Sequence, residues 1–196
     1  MIPAVFLDRD GVLVEDADLL TDASKFRLLP GVPAALARLR AAGLPLVVVS
    51  NQPIVARGLA TEADVVALHK FLQALLMQAG APCLDGWYFC PHHPKANVPA
   101  YRLNCDCRKP QPGMLLRAAR ELGLDLSASF MVGDRITDII AGARAGCRTI
   151  LVQTGMHSKP PIETAAPLDI SVQPDFLCAG FPAVADWILS QSTKVK

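Results

Sequence analysis

Short apolar runs punctuate the chain at Ala4–Leu7, Leu46–Val49, Trp87–Phe89, Phe130–Val132 and Thr149–Val152, each brief enough to be a buried strand. Between them, apolar positions recur at helical spacing over Val32–Ala42, Thr61–Ala79, Met114–Leu122 and Asp138–Ala145. In the second of these segments Thr61, with Asp64 three residues on, reads as an N-terminal cap, and Gly80 as a stop. Strands alternating with helices predict a three-layer α/β architecture, a Rossmann-like parallel sheet covered on both faces. In such sheets ligands bind beyond the carboxyl ends of the strands. Ile170–Cys178 is expected to add an edge strand, because Pro174 disfavours a central place, and Pro182–Ser190 a closing helix.

Two stretches break the alternation. Cys90–Gln111 holds three Cys, two His and four Pro with little periodicity, so something other than an apolar core must organise it. Gly155–Pro167, rich in Pro, Thr and Ala, reads as a surface connection. With no internal repeat and no long linker, residues 1–196 are expected to form a single domain into which the loop 90–107 is inserted, with no large cap domain.

Composition narrows the function. A chain of 196 residues buries roughly 70% of its unfolded surface, so its six cysteines are not needed as disulfides. A net charge of +1 argues against nucleic-acid or membrane-surface binding through bulk attraction, and only 6% of the residues are aromatic. No apolar run approaches the roughly 20 residues that span a bilayer. The N-terminal MIPAVFL lacks a basic leader region, so a cytoplasmic protein with reduced thiols is expected, and a monomer because nothing in the sequence demands a partner. Of 18 acids, 14 are Asp, the residue of caps, turns and metal sites rather than of solvated helices.

The placement of those acids carries the chemistry. The first predicted strand ends Phe6-Leu7-Asp8-Arg9-Asp10-Gly11, putting two carboxylates at the ligand end of the sheet. Two close carboxylates repel, which separates their pKa values and provides an ionised nucleophile beside a protonatable acid. The second strand ends Val49-Ser50-Asn51-Gln52, where a hydroxyl and an amide either bind phosphate oxygens or cap the following turn. The fourth ends Val132-Gly133-Asp134-Arg135-Ile136-Thr137-Asp138, and Arg108-Lys109-Pro110 supplies two cations ahead of a helix.

These four motifs, in this order and strand context, resemble the haloacid dehalogenase superfamily of phosphotransferases, over Val5 to about Val152. The resemblance implies that Asp8 attacks phosphorus to form an aspartyl-phosphate, and that Asp10 protonates the leaving oxygen and then activates water. Carboxylate and phosphate repel by about 4 kcal/mol per charge pair at ~4 Å and an effective dielectric of ~20. Lys109 and a Mg²⁺ ion would offset this, the ion held by Asp8, the Asp10 carbonyl and Asp134. Ser50 and Asn51 would hold the phosphoryl oxygens, and Asp138 would orient Lys109 or a metal-bound water.

Cys90-Pro91-His92 and Cys105-Asp106-Cys107 each offer two ligands one residue apart, a set suited to a structural Zn²⁺, with His93 the alternative imidazole. Cys83, Cys147 and Cys178 lack clustered partners and are expected to be small buried hydrophobes. Cys-Pro-His-His-Pro, the long spacer and Cys-Asp-Cys-Arg-Lys-Pro closely resemble the heptose bisphosphate phosphatases of bacterial surface-polysaccharide synthesis. The related histidinol-phosphate phosphatases have a shorter spacer. The resemblance implies a phosphorylated sugar substrate that loses one of two phosphates, Arg108 being a candidate for the non-reacting one. It also places Asp16, Ala17, Asp18, Leu19, Gln52, Pro53 and Arg135 against the substrate. Here the chain departs from the family pattern: Val12 stands for the usual Thr, a Gly-Tyr pair is missing from the following loop, Pro53 replaces a Ser, and Arg135 stands where Lys is common.

Overall fold

The computed structural model describes residues 1–16, 19–155 and 171–192. Its frame is one parallel sheet of six strands: β1 (Val5–Leu7), β2 (Leu46–Asn51), β3 (Gly86–Cys90), β4 (Phe130–Gly133), β5 (Arg148–Val152) and β6 (Phe176–Cys178). They lie in the order β3-β2-β1-β4-β5-β6. β1 is central, pairing Val5 with Leu46 on one side and with Phe130 on the other. Chain order therefore reverses between β1 and β4, which opens a crevice at their carboxyl ends.

The strands are short and apolar because both faces are covered. β1 is wholly buried, and its alternation sends Val5 and Leu7 into one apolar cluster and Phe6 into a second. The larger cluster takes α1 (Val32–Ala41), α3 (Glu62–Gln78) and α6 (Phe181–Ser192); the smaller takes α4 (Gly113–Leu122) and part of α5 (Ile136–Ala145). The α3 cap forms as expected: Thr61 Oγ1 accepts from Asp64 N at 3.1 Å, and Asp64 Oδ2 accepts from Thr61 N at 2.8 Å.

Several boundaries move. β2 runs through Ser50 and Asn51, so these two complete the strand instead of following it. A four-residue helix, α2 (Pro53–Ala56), follows with Pro53 in its first turn. α5 starts at Ile136, two residues before the expected Asp138, because the Asp138 carboxylate caps it from inside by accepting from Arg135 N at 3.0 Å. The edge strand shrinks to Phe176–Cys178, beyond Pro174. Cys147 and Cys178 are buried, but Cys83 is exposed: it lies in the connection to β3, whose inward positions are taken by Ala81 and Leu84. Most of the expected connection 155–167, and residues Ala17 and Asp18, lie outside the described residues. No described helix is long and apolar enough to cross a membrane.

Candidate active site

The cleft opens at the reversal of strand order. Asp8 follows β1, Asp134 follows β4, Asp138 sits in the first turn of α5 and Lys109 precedes α4. Carboxylate oxygens of Asp8, Asp134 and Asp138 all lie within 4.8 Å of one another. All three residues are buried, as is Lys109, at 2% exposure.

Lys109 Nζ lies 3.0 Å from Asp8 Oδ1 and 2.7 Å from Asp138 Oδ1, and donates to the Val49 carbonyl at 2.8 Å. Burial alone would lower its pKa, but the carboxylates of Asp138 and then Asp8 outweigh that and raise it. Lys109 is thus held as a cation. Asp8 moves up to about 6, chiefly because burial disfavours its charge; Lys109 opposes this, while Asp138 and Asp10 add to it. One lysine is not enough positive charge for three buried carboxylates.

Glycines admit those carboxylates. Gly11, at φ +77, turns the chain after Asp10, and a Cβ there would lie 2.6 Å from Asp134 Cγ. A Cβ on Gly133 would lie 2.5 Å from Asp138 Cγ. The cradle of hard oxygen donors, closed by residues without side chains, fits a small divalent ion such as Mg²⁺.

Asn51 is used differently from the expectation that its amide faces a phosphate. Its Oδ1 accepts from Lys109 N at 3.0 Å and its Nδ2 donates to Lys109 O at 3.1 Å, clamping the lysine backbone to the end of β2. Ser50 Oγ accepts from Gln52 Nε2 at 2.8 Å, and Gln52 also reaches Asp10 Oδ2 at 3.3 Å. Asp8, Asp10, Asp16, Leu19, Ser50, Asn51, Gln52, Pro53, Arg108, Lys109, Arg135 and Asp138 all line one cleft. Asp16 pairs with Arg135 at 3.1 Å, so these two meet across it. Arg57 and His93 line it as well. Sequence reasoning missed Arg57, which arrives at the end of α2, a helix too short to show a period. Burial lowers the pKa of Arg108, and the charge of Arg57, on the same cleft, adds to that lowering.

Beside the cleft, Cys90, His92, Cys105 and Cys107 gather. Cys107 Sγ is 3.2 Å from both Cys90 Sγ and Cys105 Sγ, and His92 Nδ1 is 3.4 Å from Cys107 Sγ and 3.6 Å from Cys90 Sγ. Ligand bonds of roughly 2.0–2.3 Å to a tetrahedral ion imply donor separations of roughly 3.3–3.8 Å. The two 3.2 Å sulfur–sulfur contacts are slightly tighter than that and the other separations fall within it, and three thiols with one imidazole are the donor set of a structural Zn²⁺. Three thiols this close compete for protons: Cys105 is pulled down by hydrogen bonds from Cys107 and Cys90, while Cys107 is pushed up to about 11 chiefly by its contact with Cys105. His92 is the imidazole of the cluster; His93 lies in the cleft instead, its Nδ1 accepting from Lys95 N at 3.1 Å. Arg108 Nη1 donates to the His92 carbonyl at 3.0 Å, which ties the cleft to the cluster.

A Rossmann-like sheet with a carboxylate trio and a buried lysine at its strand-order reversal defines a haloacid dehalogenase-like hydrolase, and residues 106–183 match the family model described as HAD-hydrolase-like. The chain is 44% identical, over 87% of its length and 90% of the relative's, to the D-glycero-beta-D-manno-heptose-1,7-bisphosphate 7-phosphatase of Photorhabdus laumondii. To the protein of that name from Escherichia coli K12 it is 43% identical, over 84% of this chain and 86% of the relative. The crystal structure of the D,D-heptose 1,7-bisphosphate phosphatase of B. bronchiseptica with magnesium and phosphate superposes with a TM-score of 0.79, at 35% identity, covering 97% of this chain and 99% of that one. The chain belongs to this heptose bisphosphate phosphatase family, a branch of the phosphoric monoester hydrolases.

Proposed function

We propose that this protein hydrolyses the 7-phosphate of D-glycero-D-manno-heptose 1,7-bisphosphate, leaving heptose 1-phosphate, in the cytoplasmic synthesis of nucleotide-activated heptose, and that residues 1–196 act as one monomeric domain. The observation that carries the reading is the meeting of Asp8, Asp134, Asp138 and Lys109 at the end of the central strands, beside a second cluster of cations.

Asp8 is the nucleophile. Its oxygen 3.0 Å from Lys109 Nζ is oriented by that contact, and the Asp8–phosphoryl bond forms as the sugar–oxygen bond to phosphorus breaks. Asp10 donates its proton to the departing sugar oxygen, then removes one from the water that cleaves the aspartyl-phosphate. Asp8, Asp134 and the Asp10 carbonyl would hold Mg²⁺, which, when bound, supplies positive charge to the phosphoryl oxygens. Asp138 keeps Lys109 in place, and Ser50 offers its hydroxyl to the phosphoryl group. Asn51 contributes by clamping Lys109. Arg108 and Arg57, with His93 between cleft wall and loop, receive the phosphate that is not cleaved. Asp16, Leu19, Gln52, Pro53 and Arg135 shape the sugar pocket, Ala17 and Asp18 act on the sugar with them, and Cys90, His92, Cys105 and Cys107 would hold a Zn²⁺ that cross-links the loop leading to Arg108.

Phosphate release from the heptose bisphosphate and from histidinol phosphate, measured side by side with magnesium, tests the assignment. The bisphosphate should be preferred, and Asp8→Asn should abolish turnover with the fold intact. Preference for histidinol phosphate would move the enzyme to the neighbouring branch.

A further inference from the structure

Arg9 lies between the two catalytic carboxylates in sequence, yet it is almost fully buried, at 1% exposure. In an extended strand, adjacent side chains point to opposite faces and do not meet. Here the strand has ended at Leu7, and the turn at Gly11 folds the Arg9 guanidinium back over its neighbour. Arg9 Nε donates to Asp10 Oδ1 and Oδ2, each at 3.1 Å, and Nη2 donates to Oδ2 at 2.8 Å. Both carboxylate oxygens are thereby held by donors of one guanidinium. A point charge could not do that.

The fork is itself seated. Its Cζ stands 5.5 Å from the centroid of the Phe26 ring, and the Arg9 carbonyl accepts from both Leu13 N (2.9 Å) and Val14 N (3.2 Å). His69 packs nearby, its ring 4.9 Å from that of Trp87 and 5.7 Å from that of Phe89. Arg9 Nη1 and His69 Nε2 are both buried without a hydrogen-bond partner among the described residues. Burial, with the charge of Arg9 second, keeps His69 neutral, so the imidazole does not compete with Arg9 for Asp10.

An ion pair between a buried arginine and a carboxylate left 25% exposed is weak evidence for a role in stability, since desolvating the arginine costs about what the attraction returns. We infer that the Arg9 side chain is a positioning group that holds the Asp10 carboxylate in the orientation needed for its two proton transfers, and that it does not act on the attack by Asp8, whose Oδ1 meets Arg9 only through the backbone N–H, which donates to it at 2.7 Å, a contact that every side-chain variant keeps. The inference rests on the acid–base reading of Asp10 given above.

The two roles separate by leaving group. An alkyl phosphate such as the heptose bisphosphate needs Asp10 to protonate its departing oxygen, whereas p-nitrophenyl phosphate releases a stable phenolate without that help. In Arg9→Lys and Arg9→Met, turnover of the heptose bisphosphate should fall by about 10²-fold, within the range that general acid–base catalysis contributes. The first p-nitrophenol released per active site should appear at a rate within about threefold of wild type, because general-acid assistance is what the variants lose, followed by a slowed steady state as the aspartyl-phosphate waits for its base. The ratio of the two substrates within one variant does not depend on how much of it folds. Asp10→Asn serves as the reference and should show the same leaving-group dependence. If Asp10→Asn shows it and neither Arg9 variant does, or if both substrates fall equally in the Arg9 variants, the role of Arg9 is overturned. If Asp10→Asn lacks it, the reading of Asp10 fails first and the inference falls with it.

Discussion

Replacing Lys109 by Met keeps the length of the buried stem and removes only the charge and its donors. At an effective dielectric of about 20, the contacts at 3.0 Å to Asp8 and 2.7 Å to Asp138 are each worth about 5–6 kcal/mol before desolvation is counted. Much of that is cancelled by the cost of burying the ions, but the variant leaves two carboxylates buried without their cation and the Val49 carbonyl without its donor. Breaking such a group typically costs 3–5 kcal/mol. Urea unfolding at pH 7.5 without added magnesium should show a loss of about 3–5 kcal/mol, and Asp138→Asn in the same background should return part of it. The sign with pH follows from Asp8. Its carboxyl already titrates near 6 in the folded protein against 3.8 in an unfolded chain, so the folded state binds the extra proton between those values and gains stability on acidification. Without Lys109, which holds that value down, the uptake begins at higher pH. The deficit of the variant should therefore shrink as pH falls from 7.5 to 5. A loss below about 1 kcal/mol at pH 7.5, or one that grows on acidification, would refute the account of Lys109 as the counter-charge of this site.

Three further outcomes are expected. Gly133→Ala would push its methyl into the Asp138 carboxylate, moving it off Lys109; since a misplacement of about 1 Å costs roughly 10²-fold, kcat should fall by that order while the protein still unfolds cooperatively. His69, held neutral with its pKa pushed down to about 3, faces an unfolded-state value of 6.5, so below pH 6.5 the unfolded chain takes up a proton the folded one refuses and stability is lost. Between pH 7 and pH 5 wild type should lose about 2 kcal/mol relative to His69→Phe in paired urea titrations, and equal losses would contradict it. Cys105→Ser should lower zinc, measured by elemental analysis, well below one equivalent and raise KM for the bisphosphate, because Arg108 hangs on the His92 carbonyl; an unchanged KM in zinc-free protein would disconnect cluster from cleft.

The acids that matter were legible because an Asp directly after a buried run has few other reasons to be there. Asp8, Asp134 and the Lys109 between them were therefore readable as one group before any fold was seen. The partners of those residues were not. The Asn51 amide spent on the Lys109 backbone depends on how the end of β2 meets a loop 58 residues away, and nothing local distinguishes it from an amide facing a ligand. Arg9 folding onto Asp10 contradicts the spacing rule for strands and is visible only once the chain is seen to leave the strand at Leu7. Arg57 had no motif around it, and the choice of His92 over His93 for the cluster depends on loop torsions that spacing does not encode.

The earliest of the six strands in chain order occupies the middle of the finished sheet. Ala4 waits for Ser129, 125 residues further on, before its amide is satisfied, and the carboxylate trio needs Asp8 and Asp138 from the same two distant stretches. A nascent chain that ends before β4 lacks Asp134 and Asp138, two of the three carboxylates, so catalytic competence arrives late in translation. Until then one apolar edge of β1 stays open to solvent or to a chaperone. Truncations that reach back past β4 should consequently be both inert and sticky.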